Sequence, residues 1–173
     1  MPFPTRTAEQ LPPIPSDLNV EWRVGWRLAD PVLEADAQAF WARNGLLTAA
    51  MSIERTNEIN LCAYVDGQLA GLSSARLRDI GFLRSRMAMH RVAVEPGHQR
   101  LHLSSWLTVK SIEALEAWSL AHPEEKVMGV GAVIQAALDW SDRPLWRTGL
   151  DLAGYTSENQ QFRVAWFRHA VIS

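Results

Sequence analysis

The sequence predicts an α/β (α+β) fold in which a mixed central β-sheet is flanked by helices. Three observations indicate it: strand-like and helix-like segments alternate along the chain, a two-residue turn joins one pair of strands, and one late strand is almost wholly apolar. With 173 residues, 47% of them hydrophobic and 21% charged, the chain has the composition of a globular protein. A chain of this length can bury about 70% of its unfolded surface as one domain.

The N-terminal residues differ in composition from the rest. Five prolines there oppose regular helix and favour an extended segment: Pro2, Pro4, Pro12, Pro13 and Pro15. We therefore predict a proline-rich arm over residues 1–19 and a single domain over residues 20–173.

The first ordered segment is "VEWRVGWRL", where apolar and polar residues alternate from Val20 as in a half-buried strand. Asp30-Pro31 then predicts a helix start, with a capping residue followed by proline at the first helical position. This helix should end at Gly45. A second helix is predicted over residues 47–55.

The strongest local signal is "INLCAYVDGQLAGLSSARL", two strand-like runs separated by Asp66-Gly67. This dipeptide fits a tight primed turn, so the segment predicts a β-hairpin. A further strand, "SRMAMHRVAVE", follows the Gly81 region. Apolar residues at helical spacing then predict a helix from Ser104 to Ala121, which His122-Pro123 closes.

The last part of the chain predicts a strand, a helix and a strand. "KVMGVGAVI" is nearly continuous in apolar residues, as in a central strand buried on both faces. Asp142 is expected to cap a helix that runs through Leu145, Trp146 and Leu150 to Ala153, with Gly154 as its end. The final strand is "QFRVAWFRHAVI".

Charge and cysteine content exclude several classes of function. The net charge of −2 gives no general electrostatic case for binding nucleic acid or an anionic membrane. The N-terminus carries no apolar signal segment and no run is long enough to span a bilayer. A single cysteine, Cys62, excludes an internal disulfide and reads as a buried strand residue. We expect a cytoplasmic protein without a metal ion.

Basic residues concentrate in one part of the chain. Residues 76–100 contain six arginines against only Asp79 and Glu95. Such a cluster is either a solvated face or a surface that meets an anionic ligand. It overlaps the segment "RVAVEPGHQRLHLSSW", where a strand passes through a loop into a helix. A helix N-terminus has unpaired N–H groups and a positive dipole end, which favour phosphate.

This segment and the element order resemble the GNAT superfamily of acyl-CoA-dependent N-acyltransferases. The family motif reads roughly Val-x-Val-x-Pro, then Gln/Arg-x-x-Gly-x-Gly/Ala at a helix start. Residues 92–96, Val-Ala-Val-Glu-Pro, match the first part and Gln99 matches the head of the second. Gly154-Tyr155 stands where the family commonly has Gly-Phe. The resemblance covers the chain from about Val20 to its C-terminus.

The resemblance implies acetyl-CoA as co-substrate. The backbone of Val92 and Val94 would then meet the pantetheine arm and the thioester. The pyrophosphate would be held by amides of residues 99–105, which are Gln99, Arg100, Leu101, His102, Leu103, Ser104 and Ser105. The sequence departs from the motif because His102 and Ser104 occupy its glycine and glycine/alanine positions. The loop can still bind phosphate if its dihedrals remain helical.

The usual catalytic groups are also absent. The family's glutamate base falls at Ala88 and its tyrosine acid at Leu150. His90 is a candidate base in their place, or else a hydrogen-bonded core histidine. Tyr155 is a candidate acid, or else a packing residue like the phenylalanine it replaces. Glu95 is expected to face solvent beside the proline turn. Four tryptophans either line an acceptor groove or fill the core: Trp106, Trp118, Trp140 and Trp146.

Two hypotheses therefore remain open from the sequence. The chain is an acetyl-CoA-dependent N-acetyltransferase acting on an amine of a small molecule, peptide or protein. Alternatively, it is a catalytically inactive GNAT-fold binding or assembly protein that has kept or lost CoA binding. The acceptor is not determined, and a homodimer is one assembly that the arm would allow.

Overall fold

The computed structural model describes residues 11–135 and 143–171. A seven-stranded sheet has the strand order β1-β2-β3-β4-β5-β7-β6, and every neighbouring pair is antiparallel except β4 and β5. The strands are β1 Val20–Val24, β2 Ile59–Val65, β3 Gln68–Ile80, β4 Ser85–Val94, β5 Val127–Ile134, β6 Asp151–Tyr155 and β7 Gln161–Trp166. The α-helices are α1 Pro31–Arg43, α2 Ala49–Thr56 and α3 Leu103–Ala121. The predicted mixed sheet flanked by helices is confirmed.

The first helix begins where the sequence predicts. The Asp30 carboxylate accepts hydrogen bonds from the N–H groups of Val32 at 3.0 Å and Leu33 at 3.2 Å, and Pro31 occupies the first helical position. These bonds satisfy two of the donors that a helix N-terminus leaves unpaired. Thr48 caps α2 in the same way.

The Asp66-Gly67 turn also has its predicted form. Both residues have positive φ, 50° at Asp66 and 83° at Gly67. This is the requirement of a type I′ turn, whose twist matches that of the flanking strands. Val65 pairs directly with Gln68 across it, so the predicted β-hairpin is confirmed.

Helices cover both faces of the sheet. On one face, α3 packs its Leu103, Leu107 and Leu115 side chains against residues of β2 to β5. On the other, α1 packs Leu33, Ala37, Phe40 and Trp41 against β2 and β3. Cys62 lies fully buried in this second layer. Burial raises the pKa of its thiol to about 12, so Cys62 is a packing residue and not a nucleophile.

The predicted helix through Leu145, Trp146 and Leu150 to Ala153 is wrong. Residues 143–150 form bends and turns, and residues 151–155 form strand β6, so Gly154 lies within a strand. The predicted cap Asp142 lies outside the described residues.

A distant side chain explains the difference. The fully buried Arg163 of β7 donates hydrogen bonds to three main-chain carbonyls, those of Arg143 at 2.7 Å, Pro144 at 3.3 Å and Leu150 at 3.1 Å. Its guanidinium also lies 3.6 Å from the ring centroid of Trp146. Carbonyls that converge on one side chain do not point along a helix axis, so these contacts replace the helical hydrogen bonds.

The end of the proline-rich segment contacts the domain. Leu11 is buried, and the Trp106 indole N–H donates to the Pro12 carbonyl at 2.9 Å. The division into residues 1–19 and 20–173 stays a prediction. Within residues 11–135 and 143–171, no helix is long and apolar enough to cross a membrane.

Candidate functional site

The central feature of the site is an opening in the sheet between β4 and β5. The two strands pair in parallel from Arg86–Val127 to Met89–Gly131, and within the described residues they do not pair beyond Met89 and Gly131. Beyond that point β4 stays paired with β3, and β5 stays paired with β7. A cleft of about 1000 Å³ occupies the gap between the separated strand ends.

The cleft reaches both faces of the sheet. Its α3 side is lined by Gln99, Ser104, Ser105 and Thr108. Its other side is lined by residues of α1, α2 and their connection: Trp41, Leu46, Leu47 and Arg55. The far wall comes from β5 and the segments that flank β6, and includes Ala132, Ile134, Trp146, Thr148, Leu150 and Glu158. Two ligands entering from opposite faces could therefore meet between the strands.

The last residues of β4 direct backbone groups into this gap. The Glu95 N–H donates to the Ala70 carbonyl of β3 at 2.8 Å. Hydrogen-bonding direction alternates along an antiparallel strand, so the backbone groups of Val92 and Val94 point away from β3. Both residues line the cleft. This is the arrangement that the resemblance implies for a pantetheine arm.

The start of α3 closes one end of the cleft. The N–H groups of Ser105 and Trp106 both donate to the His102 carbonyl. The amides of Leu103 and Ser104 lie in the first turn, where a helix offers no internal acceptor. Those amides and the helix dipole give this end of the cleft a positive potential.

The predicted phosphate-binding residues do not all reach the cleft with their side chains. Gln99, Ser104 and Ser105 line it. Leu103 is buried in the core against β2 and β3, and Leu101 is half-buried. The Arg100 side chain lies outside the described part of the structure.

His102 departs from the expected conformation. Its φ of 54° and ψ of 21° are left-handed, so the condition of helical dihedrals is not met at this residue. A left-handed residue favours glycine, which gives a reason beyond close phosphate approach for the glycine of the family motif. The His102 side chain is exposed and is not among the cleft-lining residues. The His102 side chain therefore does not extend into the cleft.

His90 is the buried polar group of the site. Its side chain lies on the same face of β4 as Val92 and Val94, lines the cleft and is 5% exposed. Neither ring nitrogen has a hydrogen-bond partner among the described residues, so the hydrogen-bonded core histidine is not observed. Burial lowers the pKa of His90 to about 4, because desolvation penalises the imidazolium. His90 is thus a neutral imidazole at pH 7.

The two family positions without catalytic groups are apolar here. Ala88 is fully buried with Leu115 and Val130 in the core beneath α3. Leu150 is buried and lines the cleft. Tyr155, the alternative acid, is 59% exposed and is not a cleft-lining residue.

Among the described residues, one of the predicted tryptophans lines the cleft. Trp146 does so, whereas Trp106 contacts Pro12 and Trp118 packs edge-to-face against Trp26. Trp140 lies outside the described residues. Trp41 lines the cleft and was not predicted, because its position in the α1 pattern marks it only as a core residue.

Glu95 was expected to face solvent, but its side chain is mostly covered. Its carboxylate accepts a hydrogen bond from Arg43 Nε at 2.9 Å and lies 3.4 Å from His98 Nδ1. Arg43 also donates to the Leu69 carbonyl. The end of α1 is thereby tied to the loop that leads into α3. Within the described residues, no group of three or more His, Cys, Asp or Glu side chains could hold a metal ion.

Comparison with solved structures assigns the fold. The chain is similar to an acetyltransferase of the GNAT family from Streptococcus pneumoniae, with 15% identity, 84% of this chain and 96% of that chain covered, and a TM-score of 0.57. It is similar also to yncA from Salmonella typhimurium, solved with its cofactor acetyl-CoA, with 16% identity, 84% and 91% coverage, and a TM-score of 0.57. No protein-family model and no curated protein sequence matches the chain. The chain therefore has the fold of GNAT acetyltransferases.

Proposed function

We propose that this chain is an acetyl-CoA-dependent N-acetyltransferase that transfers the acetyl group directly to an amine in a ternary complex. The observation that carries the proposal is the opening of the sheet at Met89 and Gly131, which leads from the N-terminus of α3 to the opposite face. The structure of yncA with acetyl-CoA, which shares the fold, supports the choice of cofactor.

The residues present fit the proposed co-substrate. The amides of Leu103 and Ser104 at the start of α3 would bind the pyrophosphate, assisted by the Ser104 and Ser105 hydroxyls. The pantetheine arm would pair with the backbone of Val92 and Val94. The acetyl group would then lie beside His90, whose two buried nitrogens would gain a polar partner.

The reaction needs one new bond and one broken bond. The amine nitrogen attacks the thioester carbonyl carbon, the C–S bond breaks, and the proton lost by the amine ends on the departing sulfur. Holding the two reactants in one cleft can supply about 7 to 11 kcal/mol of the barrier. Neutral His90 can accept or donate a hydrogen bond at this point and relay the proton through water.

A thermal titration tests the proposal. At 100 times its dissociation constant, acetyl-CoA should stabilise the protein by about 2.7 kcal/mol. For a chain of this length that energy corresponds to a rise in Tm of roughly 5 to 11 °C. Release of the CoA thiol in the presence of amines measures the transfer itself.

A matched pair of variants locates the binding site. Ser104→Glu places a negative charge at the start of α3, which favours the helix but repels phosphate, and it should abolish most of the shift. Ser104→Gln also removes the hydroxyl but adds no charge, and it should keep most of the shift. Absence of any shift in the unmodified protein at millimolar acetyl-CoA would refute the proposal, and a shift without thiol release from any amine would favour the inactive GNAT-fold protein.

A further inference from the structure

Three arginines surround one glutamate at the side of the cleft away from α3. The Glu58 carboxylate accepts a hydrogen bond from Arg91 Nη1 at 3.2 Å. It also lies 3.3 Å from Arg55 Nε and 3.8 Å from Arg76 Nε. Arg55 belongs to the last turn of α2, whereas Arg76 and Arg91 belong to β3 and β4. The cluster therefore joins α2 to the strands that form one wall of the cleft.

The charges of this cluster do not balance. Three guanidinium groups face one carboxylate, which leaves two positive charges. Arg55 and Arg91 even share a single oxygen, Oε2 of Glu58, although each guanidinium carries five N–H donors. Both arginines thus retain donors for another oxyanion.

Two of the three arginines face the cleft. Arg55 and Arg91 line it, and Arg76 does not. Arg91 pairs across the sheet with Ser74, a buried residue that also lines the cleft. Among the described lining residues the only carboxylate is Glu158, on the far wall beyond β5.

Arg55 is the more buried of the two arginines that line the cleft. The Arg55 side chain is 21% exposed. Its pKa is lowered, first by desolvation and then by repulsion from Arg91. Glu58 opposes this lowering, and a negative group bound between Arg55 and Arg91 would oppose it further by relieving the repulsion between the two guanidinium groups.

We infer that the acceptor is an amine that also carries an oxyanion, a carboxylate or a phosphate, and that Arg55 and Arg91 bind this group. The inference rests on the proposed acetyl transfer. With the pyrophosphate at α3, the opening beside Arg55 and Arg91 is left for the acceptor. The bound oxyanion would hold the amine at the separated ends of β4 and β5, where the thioester lies.

A panel of amines tests the inference. It consists of α- and ω-amino carboxylates, the neutral amide of each, and phosphoethanolamine with its uncharged counterpart ethanolamine. Amines with an oxyanion should be acetylated with kcat/KM at least tenfold higher than their uncharged counterparts, mainly through a lower KM. The carboxylate and phosphate arms show which oxyanion is preferred.

Two substitutions in the same cluster give a matched comparison. Arg91→Gln should reduce this preference about tenfold while the thermal shift with acetyl-CoA stays unchanged. Arg76→Gln removes an arginine that contacts Glu58 outside the cleft, and it should keep the preference. Equal rates for charged and neutral amines, or an undiminished preference in Arg91→Gln, would overturn the inference.

Binding of the acceptor is measured separately from turnover. With CoA present, oxyanion-bearing amines should raise Tm and their neutral counterparts should not. If acetyl-CoA binds and yet no panel member with an oxyanion binds or reacts in preference, the inference fails alone. If acetyl-CoA itself does not bind, the proposed function fails, and the two failures are distinguishable.

Discussion

His102 provides a direct test of the geometry at the start of α3. It is a non-glycine residue with φ of 54° and ψ of 21°. A β-carbon in the left-handed region costs roughly 1 to 2 kcal/mol. The exposed His102 side chain has no side-chain capping bond at the helix start that would offset this cost.

Two separate variants, in which glycine or alanine replaces His102, distinguish the backbone strain from the loss of the side chain. His102→Gly removes the β-carbon, and the gain is reduced by the roughly 0.5 to 1 kcal/mol of extra backbone entropy that glycine loses on folding. His102→Ala keeps the β-carbon and hence the strain. We expect the glycine variant to be more stable than the alanine variant by about 1 kcal/mol.

Thermal unfolding of the two variants measures this difference. For a domain of this size, about 1 kcal/mol corresponds to roughly 2 to 4 °C in Tm. The alanine variant should stay within about 0.5 kcal/mol of the unmodified protein. Equal Tm values for the two variants, or a lower value for glycine, would refute the left-handed assignment. The glycine variant should also keep the acetyl-CoA shift, since His102 does not line the cleft.

Two further predictions concern buried groups. Burial lowers the pKa of His90 from 6.5 to about 4, so the unfolded chain binds this proton more readily than the folded chain. The contribution of His90 to the free energy of unfolding is therefore fully present above about pH 6.5 and is lost as the pH falls toward 4. Urea unfolding should show that this group reduces the free energy of unfolding by about 2 kcal/mol between pH 7 and pH 5. The free energy of unfolding of His90→Gln should depend less on pH, and parallel pH curves for the two proteins would contradict the burial of His90. Arg163→Lys cannot reproduce the bonds to three carbonyls and should lose about 3 kcal/mol in urea unfolding. By comparison, Arg168→Lys at the exposed Arg168–Glu116 ion pair should lose less than about 1 kcal/mol, and equal losses in the two variants would contradict the role of Arg163.

The elements that could be predicted are those fixed by adjacent residues. Asp30-Pro31 and Asp66-Gly67 each determine a local conformation through their own backbone and side chains, so the helix start and the hairpin are found where the sequence predicts them. The prediction for residues 143–155 was wrong because their conformation depends on Arg163, which is distant in sequence. Arg163 contacts main-chain carbonyls, and the local sequence pattern does not indicate such contacts.

The residues of the candidate site also divide into those that the local sequence predicts and those that it does not. Val92, Val94, Gln99, Ser104 and Ser105 belong to one continuous segment, and the structure places all five along the cleft. Trp41 and Arg55 reach the same cleft from α1 and α2. Nothing in their own neighbourhood indicates this, because only the pairing of β2 with β3 and of β3 with β4 brings those helices there.

The surroundings of Ala88 and His90 bear on how acetyl transfer would proceed without the usual base. A carboxylate at Ala88 would enter an apolar cluster with Leu115 and Val130, where its ionised form would be strongly disfavoured. His90 stands two residues further along the same strand, on the same face, where the sheet opens. Its low pKa makes it a poor store for the proton of an ammonium group, but a neutral imidazole can still hydrogen-bond both a water and a departing thiol. In the proposed reaction, therefore, most of the rate enhancement would come from holding amine and thioester together, with His90 directing the proton path.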